Sequence, residues 1–223
     1  SIERKARTMS LMLYYHPLSS FCQKVLIALY EMETAFETHL VDFTNAEAKA
    51  AFQKIWPIAQ FPVLRDEARN RTIPESTIII EYLAQNYPGR TELLPKDADL
   101  ALQTRLKDRF YDLHVHVQMQ KILTDRLRPA GMNDSFGVEH DRKMLKIAYG
   151  MIDNEMVDRA WAMGDIFTMA DCAAAPALFY ANMAVPLAEE HPHAAAYLTR
   201  LMGRPSFARA LKEAQPYLKF VPA

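Results

Sequence analysis

The 223-residue sequence is poor in cysteine and glycine and carries almost no net charge. Its 2 cysteines, Cys22 and Cys172, lie far apart in different surroundings, which argues against a disulfide framework and for a reducing compartment, the cytoplasm. With only 6 glycines, the chain is neither fibrous nor a low-complexity tract. A formal net charge of -1 supplies no global field for nucleic acid or an anionic membrane, so neither is expected as a partner. No apolar run spans a bilayer comfortably: the longest, residues 172–188, is broken by Pro176, Asn182 and Pro186 and reads as a buried helix. The opening residues, SIERKART, lack the apolar core of a signal peptide, and residues 1–10 are expected to be a disordered leader.

What is present is 50% hydrophobic and 24% charged, the composition of a helix-rich globular chain. Apolar Leu11 to Tyr15 reads as a buried strand, followed by a helix opened near Ser19 or Ser20. A second strand is expected over Phe36 to Val41, a helix capped by Asn45 reaching Lys54, a strand over Phe61 to Arg65, a short one at Thr72-Ile73, and a helix from Glu75 to about Asn86. Tyr87-Pro88-Gly89 and Pro95 bracket a linker, residues 88–96, between a first domain over 11–87 and a second over 97–223. The second domain carries no strand signal. A long helix is expected from Asp97 to about Leu127, with further helices near 138–157, 168–183, 190–202 and 205–214. On the long helix Leu102, Leu106, Phe110, Leu113 and Val117 form an apolar stripe; Arg105, Asp108, Asp112, Val115, Met119 and Ile122 form a mixed one that reads as facing a partner or a ligand. Thr168 and Asp171 match a capping box.

Three local features bear on chemistry, each with an ordinary structural reading beside it. Ser19 at a helix start serves as an N-cap in most settings. Phe61-Pro62 is otherwise a strand entry. Glu75-Ser76 behind Pro74 reads as dipole-compensating capping. Taken together they offer two helix N-termini and an amide-presenting bend before a proline, three anchors for an extended anionic peptide. The histidine pairs His114/His116 and His191/His193 are two residues apart and do not share a helix face, so no metal site is expected.

The stretches LYYHPLSSFCQKVLIALYE, QFPVL, PESTIIIEYL and GDIFTMAD, in that order, resemble the cytosolic glutathione S-transferase family from Leu11 to about Tyr217, in its serine-type, bacterial-like form. The resemblance implies an α/β, thioredoxin-like N-terminal domain followed by an all-helical C-terminal domain, a homodimer, a role in detoxification, and glutathione as cosubstrate with no metal. It also implies roles. Ser19 would stabilise the glutathione thiolate, and the main chain of Phe61, with Pro62 cis, would pair with the cysteinyl part. Glu75 and Ser76 would hold the γ-glutamyl end, and Gln60 would approach the glycyl carboxylate. A small electrophilic acceptor would meet Tyr111, Val115 and Met119, and Arg105 and Asp108 would reach the partner subunit. Trp56 and Ala59 stand where the family commonly has Asn and Gly. Tyr15, at the position of the tyrosine-type hydroxyl, and Cys22, at that of an inner redox cysteine, remain rivals to Ser19. Isomerisation, reductive dehalogenation, or a non-catalytic protein-binding adaptor are the alternatives to conjugation.

Overall fold

The computed structural model describes residues 10–187 and 190–222, so the expected leader lies outside the described residues except for Ser10. The first half runs β1 (Leu11–Tyr15), α1 (Ser20–Glu31), β2 (Glu37–Leu40), α2 (Ala46–Ile55), β3 (Val63–Asp66), β4 (Arg71–Pro74) and α3 (Ser76–Asn86). Its sheet has the order β2-β1-β3-β4, with β1 and β2 parallel and β3 antiparallel to both β1 and β4. The parallel pair is joined by α1, as a parallel connection requires a crossover. Asn45 caps α2 by accepting the Glu47 and Ala48 N–H groups, as its sequence position led us to expect. This is the thioredoxin-like arrangement, and the second half is helical.

The chain leaves α3 through Pro88-Gly89, where it crosses the end of α1. A Cβ on Gly89 would lie 1.9 Å from the Met32 carbonyl oxygen, so only glycine fits. The second half runs α4 (Ala98–Phe110), a π-helical turn (Tyr111–His116), α5 (Val117–Asp125), α6 (Ser135–Glu155), α7 (Met169–Ala184), α8 (Pro192–Gly203), α9 (Pro205–Ala214) and a closing 3-10 segment (Gln215–Phe220). The expected single helix over 97–127 is continuous in direction but contains that π-helical turn, which the sequence pattern does not announce. Helix α7 lies at the centre, packed against α1, α4, the π-helical turn, α5 and α8. Nearly all of its residues are buried, as expected of a core helix, but it ends at Ala184, short of the expected 188, and residue 188 lies outside the described residues.

The two faces of the long helix are arranged opposite to their expected roles. Leu102, Leu106 and Leu113 of the apolar stripe are 64%, 66% and 44% exposed, whereas Asp108, Asp112, Val115, Met119 and Ile122 of the mixed stripe are buried. The reason is a counter-charge from the other half of the chain. Lys24 of α1, itself buried, lies 2.7 Å from Asp108 Oδ1 and 2.8 Å from Asp112 Oδ2, and donates to Thr77 Oγ1 at 2.8 Å. The Thr77 hydroxyl donates in turn to Asp108 Oδ2 at 2.7 Å. Arg109 adds a second cation 3.0 Å from Asp112. Lys24 therefore donates to Thr77 and Asp112 and lies in ion-pair contact with Asp108, and carboxylates whose stripe reads in the sequence as facing a partner or a ligand form the interior of the seam between the two halves.

Helix α7 opens on the capping box expected at Thr168: its hydroxyl accepts the Ala170 N–H, and Asp171 Oδ2 accepts the Thr168 N–H at 2.8 Å. Asp171 Oδ1 also accepts the Ala162 N–H at 2.8 Å and the Tyr197 hydroxyl at 2.6 Å, all of it buried. Replacing Asp171 by Ala removes a cap worth about 1 kcal/mol and strands two buried donors at about 1–3 kcal/mol each. Urea unfolding of Asp171→Ala is expected to lose about 3–7 kcal/mol at an unchanged m-value; a loss under about 1 kcal/mol would contradict this role.

Candidate active site

Ser19 is the N-cap of α1, with extended backbone and its Oγ accepting the Cys22 N–H at 3.2 Å. An oxygen that accepts from the helix still has its own hydrogen to give, so the cap and donor roles are compatible. The side chain is half-buried. Ser20 differs: its hydroxyl is buried and hydrogen-bonded to His116 Nε2 across the seam.

The α3 start is built differently. Its N-cap, Glu75, has φ 70, in the left-handed region, and makes no side-chain cap bond. A non-glycine residue held there costs of the order of 1–3 kcal/mol. In return the first-turn amides of α3 receive no cap from Glu75, at the positive end of the helix dipole. Between these helix ends the chain enters β3 through a cis Phe61-Pro62 peptide. Ala59, two residues earlier, has φ 55, so alanine adopts here the backbone that the family's glycine would favour.

A cleft of about 390 Å³ lies between the two halves. It gathers Gln60, Phe61, Pro62, Glu75 and Ser76, five of the expected glutathione contacts, and adds Phe21, Trp56, Thr77, Arg109, Leu113 and Val117. Ser19 is not among the lining side chains; it sits two residues before Phe21, at the helix start that borders the cleft. Tyr111, Val115 and Met119, expected against an acceptor, are buried in the main hydrophobic core, and the cleft is lined instead by Leu113 and Val117 of the opposite stripe. Asp108, expected at a partner subunit, is engaged with Lys24 in the seam, while Arg105 pairs with Glu81 of α3 at 2.7 Å. Arg109, Leu113 and Val117 are not placed at the cleft by sequence reasoning because that depends on which face of the long helix turns toward α3, and Phe21 is not because it depends on how α1 meets that helix.

The two rivals to Ser19 are placed as well. Burial pushes the Tyr15 phenol above its usual pKa, with a hydrogen bond from Thr38 opposing the shift. Cys22 is fully buried, and burial pushes its thiol up to about 12, against bonds with Ser19 and His16. Such a thiol stays protonated at neutral pH and is not a nucleophile. Among the described residues no cluster of His, Cys, Asp or Glu has the makings of a metal site, and no helix is long and apolar enough to cross a membrane.

A thioredoxin-like half, a helical half and a peptide-sized cleft bounded by two helix starts and a cis-proline bend define a two-domain thiol-cosubstrate fold. The family model for the glutathione S-transferase N-terminal domain matches residues 13–91, and that for the C-terminal domain matches residues 128–205. The chain belongs to the glutathione S-transferase family of enzymes, whose cosubstrate is glutathione. It is 29% identical over 160 residues to the glutathione S-transferase-like protein LUC7 of Fusarium sp, covering 72% of this chain and 70% of that one. A glutathione S-transferase of Methylobacterium radiotolerans, solved with glutathione sulfonate, has a TM-score of 0.74 at 26% identity, covering 90% of this chain and 93% of that one. A glutathione S-transferase of Methylobacillus flagellatus, solved with glutathione, reaches a TM-score of 0.82 at 24% identity, covering 90% and 98%.

Proposed function

We propose that this protein binds glutathione in the cleft, stabilises its thiolate through the Ser19 hydroxyl, and adds the sulfur to a small, largely apolar electrophile in the cytoplasm. The observation that carries the reading is the place of Ser19: its oxygen caps the helix start that borders the cleft by accepting the Cys22 N–H, and a hydroxyl that accepts still has a hydrogen to donate. In this reading the Phe61 main chain pairs with the cysteinyl unit and Gln60 meets the glycyl carboxylate. Glu75 takes the γ-glutamyl ammonium, and the Ser76 amide takes the neighbouring carboxylate, the type of anion that a helix N-terminus favours. A hydrogen bond to the charged form lowers a pKa, and a charge-assisted bond of about 1.5–3 kcal/mol corresponds to about one to two pKa units. The thiol proton passes to solvent and the sulfur pair forms the new S–C bond. In substitution the leaving group departs with its electron pair; in conjugate addition the resulting carbanion takes a proton from solvent. Phe21, Trp56, Leu113 and Val117 supply the apolar surface for the acceptor.

A homodimer fits the same reading. Leu102 and Leu106, one turn apart on the long helix, are 64% and 66% exposed, an apolar pair outside the cleft that a partner subunit would cover. Light scattering is expected to give about twice the 25.5 kDa chain mass, and a strict monomer at micromolar concentration would remove this part of the reading.

The thiolate absorbance of the glutathione complex, followed against pH, tests the central role. Ser19→Ala is expected to bind glutathione but raise the thiol pKa by about one to two units, with conjugation at neutral pH falling about ten- to a hundredfold. It should also lose about 1 kcal/mol of stability as a cap. An unshifted titration in Ser19→Ala with a shifted one in Tyr15→Phe would transfer the role to the tyrosine.

A further inference from the structure

The adjacent serines at the start of α1 are separated by about 100° around the helix, so one hydroxyl turned to the seam leaves the other turned away. The seam takes Ser20. Its partner, His116, is buried on the π-helical turn, and such turns concentrate at functional sites. The same ring packs on Phe21, centroid to centroid 3.9 Å at a tilt of 48°, and Phe21 lines the cleft. One imidazole from the helical half therefore touches both residues that follow Ser19.

The imidazole is neutral: burial, aided by the nearby Lys24 ammonium, pushes its pKa down to about 3. A neutral ring has one proton, and Nδ1 is buried with no partner among the described residues. A buried N–H without an acceptor is rarer than a bare acceptor, which assigns the proton to Nε2 and makes Ser20 Oγ its acceptor. That bond is directional where the Phe21 contact is not. Apolar packing alone would tolerate a small rotation of α1 about its axis, but the bond from Nε2 to Ser20 would not.

We propose that His116 is a positioning residue for the reaction: by bonding Ser20 and packing on Phe21 it sets the rotation of the first turn of α1, and with it the direction in which Ser19 presents its hydroxyl. The proposal rests on the reading of Ser19 as thiolate donor. A sub-ångström misdirection of such a donor weakens the bond to the thiolate without closing the glutathione site, because Gln60, Phe61, Glu75 and Ser76 belong to other elements.

The test uses the full chain with glutathione and chlorodinitrobenzene as acceptor, and compares Ser20→Ala, His116→Leu, His116→Gln and Ser19→Ala. Readouts are the thiolate titration of the glutathione complex, kcat and KM for glutathione, and the thermal midpoint. Ser20→Ala and His116→Leu are expected to raise the bound thiol pKa by about half to one unit and lower kcat at neutral pH about three- to tenfold, with KM for glutathione within about twofold and the rate recovering as pH rises. His116→Gln, which keeps a donor for Ser20, is expected to restore both to within about twofold of the parent. If Ser20→Ala keeps the parental titration and kcat while its thermal midpoint falls, His116 is only structural and the proposal is overturned. Ser19→Ala separates this from the reading beneath it: a shifted titration there with an unshifted one in Ser20→Ala overturns the positioning role alone, and an unshifted one in Ser19→Ala overturns both.

Discussion

The Lys24 ammonium, enclosed by Asp108, Asp112 and Thr77, fixes how the two halves of this protein meet. Buried ion networks of this kind add little net stability compared with apolar packing, but they tolerate few alternatives, since any shift that separates the partners leaves a charge without water or counter-charge. The seam continues along one face of α1 at helical spacing. Ser20 meets His116; Gln23 donates to the Tyr180 hydroxyl at 3.0 Å and back to the Pro17 carbonyl at 2.8 Å; Glu31 accepts from Arg204 at 2.6 and 2.7 Å and from Ser206 at 2.5 Å. A helix from the thioredoxin-like half is thus held by polar contacts along its length from the helical half.

This seam also shapes the cleft. Lys24 and Ser20 tie the start of α1 to the long helix, and Thr77, in the first turn of α3, ties the second helix start to the same residues. Arg109 links the cleft wall to Asp112. The two N-termini that carry the proposed glutathione contacts are therefore anchored to one surface, the Asp108–His116 face of the long helix. Polar residues there do the positioning that a purely apolar face would leave loose.

Much of this was legible locally. The LYYHPLSSFCQKV stretch contains a strand, a tight turn and a cap within a few residues of each other, and the helix start, the Asn45 cap and the Thr168–Asp171 capping box are all contacts of short range in the chain. The cis bond at Phe61-Pro62 followed from the family pattern. The faces of the long helix did not follow, because hydrophobic periodicity counts apolar residues and is blind to a lysine far back in the chain that pairs with two aspartates. For the same reason Tyr111, Val115 and Met119, expected at a pocket, belong to the core, and Asp108, expected at a neighbour, is already paired. The left-handed Glu75 was hidden for another reason: a strained backbone contradicts local propensity.

Urea unfolding of Lys24→Met against the triple variant Lys24→Met, Asp108→Asn, Asp112→Asn tests the seam most directly. Removing the cation alone strands the buried Asp108 carboxylate and leaves Asp112 with the half-exposed Arg109 as its one cation, and the account predicts a loss of about 3–5 kcal/mol, most of it regained when both carboxylates are neutralised as well. A single variant that loses less than about 1 kcal/mol, or a triple variant no more stable than the single one, would contradict the claim that paired charge on α1 holds the two halves and the cleft in register.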